Sequence, residues 1–292
     1  MSNIFPFGLA PHLTFYLIVY ILTWVLHAVF MAYVLAGSIY VAWATLFPGS
    51  TESPRYDRPL AATLREWLPF ALSAAITAGV APLLFVQILY RQHFYTSNLL
   101  LGWRWLMVIP VLIAAFYLLY VLKSKRFAAF GVWVRFGVVV GIACSFLFVA
   151  FCWTTNHLLS MNESAWPDVY LTGDVVAPLM ILLPRLGLWV SGTIPTMAIM
   201  AGWQLRYYGS RPGPLGAVVS ADGLRHELTQ LGRWSLAGLC LSIVFAFTYA
   251  TQLNVPIQSA IVGASGALWL ITCAVGVVLQ AAGWILQLRN GC

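Results

Sequence analysis

The stretch from Leu13 to Phe47, LTFYLIVYILTWVLHAVFMAYVLAGSIYVAWATLF, decides the fold. Its 35 residues contain no acid and no Lys or Arg, and a single histidine, His27, near the centre. About 20 apolar residues cross a bilayer. The stretch is too short for two crossings and a turn, so it predicts one long, tilted helix. His27 is the only histidine of the chain that lies deep inside a segment of membrane-spanning length.

The rest of the chain has the same character. Of 292 residues 61% are hydrophobic and 8% charged, and mean hydropathy is +0.87. A soluble domain carries about 25% charged residues, so the composition points to a polytopic membrane protein. The first helix is expected to be retained, because no short apolar core followed by a small-residue cleavage site precedes it. The five cysteines, Cys144, Cys152, Cys240, Cys273 and Cys292, are scattered over different segments without a CxxC pair. Their spacing argues against zinc, covalent haem c and a disulfide framework. A net charge of +7 is compatible with nucleic acid, but the basic residues form no soluble patch.

Hydropathy divides the chain into a single all-α integral membrane domain, 1–292, a polytopic helix bundle with helices at about 13–47, 67–90, 105–122, 136–153, 175–205, 234–253 and 262–288. Residues 91–104 read as an aromatic, polar loop, and Pro184 with Arg185 interrupts the fifth segment. Residues 206–233 form the longest loop, with a short amphipathic piece at 224–231. Gly137 and Gly141 stand at GxxxG spacing, a packing signal. With seven crossings, twelve basic residues fall on one side and only Arg91 and Arg104 on the other. Lys and Arg accumulate on the cytoplasmic side of membrane helices. The N-terminus is therefore expected outside, in a bacterial inner membrane.

The acids all fall in loops or at the ends of these segments, whereas proton-coupled transporters keep titratable groups inside the membrane. No Walker loop, GxGxxG turn, HExxH helix or GxSxG elbow is present. That leaves His27, whose helix face carries Thr23, Trp24, Phe30, Met31 and Val34. A neutral imidazole in such a setting suits axial ligation of a haem iron; equally, it suits a hydrogen bond to a carbonyl between helices. Arg185 suits a haem propionate or a quinone carbonyl, or an interfacial Arg reaching to the headgroups. The polar rim from Gln87 to Asn98, including His93, offers donors for a quinone head group, or packs as a loop. His12, His93 and His157 share the external side of this topology.

Two stretches, Val25 to Val41 and Leu68 to Pro110, resemble subunit I of the cytochrome bd quinol oxidase superfamily. The first is similar to that family's first helix with its haem-ligating histidine, here His27. The resemblance covers the first 120 residues or so and implies a b-type haem and exchange of electrons with quinone. The family's glutamates in the third helix have no counterpart in Trp105 to Leu122, and its Gly-Arg-Gln-Pro-Trp signature and long quinol-binding loop are missing. The later His and Met ligands of a second haem have no evident match either. Oxygen reduction by this chain alone is therefore not expected. The resemblance implies a reduced membrane subunit of an electron-transfer complex, docking other membrane subunits and an external cytochrome c. The alternative is a cofactor-free anchoring subunit; a solute transporter is a weaker third.

Overall fold

The computed structural model describes residues 11–47, 49–50, 53–54, 58–175 and 178–290. The side chains of His12, Arg55, Lys125 and Cys292 lie outside the described part. The chain is a helix bundle in which seven helices are long and apolar enough to cross a membrane. In chain order the helices are α1 (Pro11–Leu46), α2 (Pro59–Leu89), α3 (Arg91–Leu101), α4 (Trp103–Leu106), α5 (Val108–Lys123) and α6 (Val132–Ser160). They continue with α7 (Trp166–Thr172), α8 (Leu179–Tyr208), α9 (Ala221–Thr251), α10 (Val255–Val262) and α11 (Ala264–Asn290). A two-residue antiparallel pairing of Gly49–Ser50 with Ser53–Pro54 closes the turn between α1 and α2.

Several boundaries differ from the hydropathy reading, each for a local reason. Helix α2 starts at Pro59, eight residues before the expected Trp67, because a proline at the first turn is already set to helical φ and lacks only an orphan N–H. The expected loop 91–104 is α3 and α4, separated at Gly102, whose φ of 57° is open to glycine. The fifth crossing is continuous through Pro184 and Pro195. The amphipathic piece at 224–231 is the first part of α9, capped by Ser220, whose Oγ accepts from the Gly223 amide at 3.1 Å. Glu66 and Glu227 consequently lie inside helices and not in loops, and Glu227 is only 2% exposed.

Small residues set the closest helix crossings, as expected where lipid supplies no hydrophobic driving force between helices. A Cβ on Gly37 would meet Leu68 of α2 at 3.2 Å. One on Gly238 of α9 would meet the Ser191 carbonyl of α8 at 3.0 Å. Helix α1 packs against α2, α6 and α8, α8 against α9, and α11 against α9. The core is built from Tyr33, Val41, Leu64, Leu68, Leu119, Ile142, Met197 and Leu228. Two polar ends frame it. At one, Lys123 pairs with Glu66 at 2.7 Å, Arg58 with His226 at 2.8 Å and Arg206 with Gln287 at 2.6 Å. At the other, His93 meets Glu163 at 2.6 Å, Asn156 meets Asn98 at 2.6 Å and Arg185 meets Tyr249 at 3.2 Å.

Candidate functional site

His27 sits in the middle of α1 and faces α2. Its Nδ1 lies 2.8 Å from the Ala75 carbonyl oxygen. A carbonyl only accepts, so Nδ1 carries the proton in this hydrogen bond and the lone pair is left on Nε2. The helix contact permits this because residue 79, one turn beyond Ala75, is glycine. A Cβ there would stand 2.8 Å from His27 Nδ1 and 2.9 Å from Cε1. Ala75 fixes the ring's tautomer and Gly79 makes room for the ring.

The imidazole lines a cavity of 310 Å³ enclosed by α1, α2, α5, α6 and α8. Tyr20, Trp24 and Met31 form one wall with His27; Ile76, Val80 and Leu83 form the next. Leu112, Phe146, Val149, Trp153 and Trp189 complete it. Trp153 is itself held by a stacked Trp105 at a ring separation of 5.7 Å. Trp24, Ile76 and Val80 are exposed on the outside of the bundle, so the cavity has a lateral side. Its volume falls at the lower end of the roughly 300–1,000 Å³ of ligand pockets, and its mainly apolar lining with few polar groups is typical of them.

Of the residues singled out from sequence, the fold brings His27, Trp24, Met31 and Val34 together in this cavity and leaves Gln87, His93 and Arg185 outside its lining. Met31 is four residues from His27 on the same helix, so the two stand on one side of the cavity and not across it. Gln87 accepts a hydrogen bond from the Tyr95 hydroxyl at 3.1 Å, and His93 pairs with Glu163 and packs edge-on against Trp166. Arg185 donates to the Tyr249 hydroxyl and lies over its ring, 5.5 Å from the centroid. It stands one helical turn from the cavity residue Trp189 on the same face of α8. His157 stands in the same relation to the cavity residue Trp153 on α6. A polar layer therefore lies one turn beyond the cavity, toward the end that carries His93 and Glu163.

The residues present fit one axial ligation of a haem iron. The second-sphere carbonyl on Nδ1 is the arrangement that orients metal-binding histidines, and the walls are apolar and aromatic. The facing wall, from Leu112 to Trp189, supplies no second protein ligand. Among the described residues no three His, Cys, Asp or Glu side chains come together. A haem held here would have His27 as its one ligand from the cavity lining and would supply a one-electron carrier.

Sequence reasoning did not find Ala75 and Gly79 as partners of His27, because helix register between α1 and α2 is not encoded in either segment alone. Nor did it find the buried pair of Tyr33 and Gln204, whose hydroxyl donates to Oε1 at 2.7 Å. The rarity of an amide in an apolar helix was the available signal. Comparison with protein-family models, with curated proteins and with solved structures returns no match.

Proposed function

We propose that this protein is a membrane subunit of a respiratory-type electron-transfer complex. In this reading one b-type haem is held by His27, and the subunit relays electrons between the quinone pool and an external redox partner. The observation that carries the reading is the mid-membrane imidazole, its Nδ1 tied to Ala75 and its ring set against an apolar, aromatic cavity. When bound, the haem supplies a one-electron carrier; the chain supplies the ligand, its orientation and the exclusion of water. Arg185, one turn beyond the cavity on α8, would be the cation to pair with the anionic edge of such a group.

The N-terminus is external in this proposal, in a bacterial inner membrane, with the arginine-rich end in the cytoplasm. The external end then presents Glu163, Asp168 and Asp174, acids suited by charge to a basic partner such as cytochrome c. The test is the haem content of the purified protein by pyridine haemochrome. About one haem b per chain is expected in the wild type and none in His27→Ala.

A second reading, a cofactor-free anchoring subunit, is favoured by the lack of any cationic side chain in the cavity lining itself. In that case His27 serves only to pin α1 to α2. A colourless, folded wild type that retains its partner subunits would establish it.

A further inference from the structure

One buried acid takes no part in the cavity at His27. Glu227, in the second turn of α9, is 2% exposed, and its Oε2 has no hydrogen-bond partner among the described residues. The cation that acts on it is Arg58, at the N-cap of α2. Arg58 Nη1 nevertheless donates to Nε2 of the adjacent His226, at 2.8 Å. A guanidinium only donates, so the ring nitrogen accepts and His226 is neutral. The hydroxyls of Thr63 on α2 and Ser235 on α9 are buried and also without a partner, so neither donates to the carboxyl.

The other ionisable side chains at this end of the helices around α9 are engaged elsewhere or turned outward. Arg206 of α8 donates to Gln287 of α11, Glu66 of α2 pairs with Lys123, and the Tyr208 hydroxyl accepts from Trp67 Nε1. Arg289 of α11 is exposed, as are Asp222, Arg225 and Arg233 of α9 itself; Arg65 of α2 is half-buried. An ionised carboxylate makes its strongest hydrogen bond to a guanidinium. Taken out of water without a donor, it bears a desolvation cost that nothing offsets. A neutral acid bears far less. Arg58 bonded to the imidazole, with a carboxyl bare on the next residue, is the arrangement of a protonated Glu227. We infer that Glu227 is a proton-binding site in this polar end of the bundle, and that loss of its proton to water draws Arg58 from His226 to the carboxylate, binding the N-cap of α2 to α9. The site is independent of the haem reading and uses none of the cavity residues.

The test uses the full-length protein in phosphatidylcholine nanodiscs over a series of pH values. N,N′-dicyclohexylcarbodiimide modifies buried carboxyls in their protonated form, and peptide mass spectrometry locates the product. Label on Glu227 is expected in acidic buffer and should fall about tenfold per pH unit once the group titrates. An infrared band of a protonated carboxyl, missing from Glu227→Gln, should disappear over the same range. Two further variants are expected to move that range in opposite directions. Arg58→Gln removes the cation that receives the carboxylate and should carry the fall to more alkaline buffer. His226→Ala takes away the other partner of Arg58 and should carry it to more acidic buffer. Arg58 and His226 meet at the surface, and gel filtration of each variant reports its folding. A side chain that only fills space would give no such opposed shifts. Absence of the infrared band in acidic buffer, label on Glu227 that is constant across the series, or folded variants that move its loss in the same direction or not at all would overturn the site.

Discussion

A single methyl group at Gly79 would stand 2.8 Å from His27 Nδ1, inside any allowed contact. Gly79→Ala therefore forces the ring off the Ala75 carbonyl or pushes α1 from α2. Overpacking of this kind costs about 1–3 kcal/mol, and the displaced imidazole loses the Ala75 hydrogen bond that orients it. On the haem reading proposed above, the variant is expected to retain little haem while remaining in the membrane, as read by haemochrome content against protein recovered. His93→Ala is the contrasting case. Its ion pair with Glu163 is half open to solvent, with the glutamate side chain 49% exposed. Such pairs contribute about 0–1 kcal/mol. Detergent-denaturation midpoint and haem content are both expected to stay near wild type in His93→Ala. An equal loss of haem in this variant would show that the external rim belongs to the site.

At the level of helices, glycines with similar sequence settings separate into two kinds. Gly187 and Gly238 sit at the α8–α9 crossing, where a Cβ would meet the Phe245 ring at 2.6 Å or Ile194 Cβ at 2.9 Å. Gly137 and Gly141 of α6, spaced as a packing motif, would meet nothing within 4 Å. Gly238→Val is therefore expected to destabilise the bundle by more than about 2 kcal/mol. Gly141→Ala should be neutral, or stabilising by up to about 1 kcal/mol through helix propensity. Unfolding of each variant by SDS in mixed micelles checks both values. The same comparison explains what could be read from the chain. The existence of seven spanning helices followed from the long runs free of charge, since no other element satisfies its backbone in lipid. Their ends did not, because Pro59, Gly102 and Ser220 set the boundaries by local geometry that hydropathy averages away. Glu227 was misplaced in a loop for that reason, although it is buried seven residues into α9.

For the molecule as a whole, the fold joins the two polar ends that sequence counting distinguished by charge. Arg58, Lys123 and Arg206 are engaged at one end, and His93, Asn98 and Arg185 at the other. In a Cys292→Ser background, Ser164→Cys is expected to react with a membrane-impermeant maleimide on intact spheroplasts. Ser210→Cys should react only after lysis; the reverse pattern would invert the topology. The site was legible in part. His27 was visible as the one mid-membrane histidine, but the cavity beside it depends on five helices meeting, and no single segment encodes that. Arg185, Gln87 and His93 were chosen for chemistry alone, and the fold gives each a neighbour outside the cavity lining. The most direct measurement is a reduced-minus-oxidised visible spectrum of the protein purified from its native membrane, wild type beside His27→Ala. An alpha band of haem b in the wild type, lost in the folded variant, is the expected result. A folded wild type without that band, or a band that survives His27→Ala unchanged, would contradict ligation by His27.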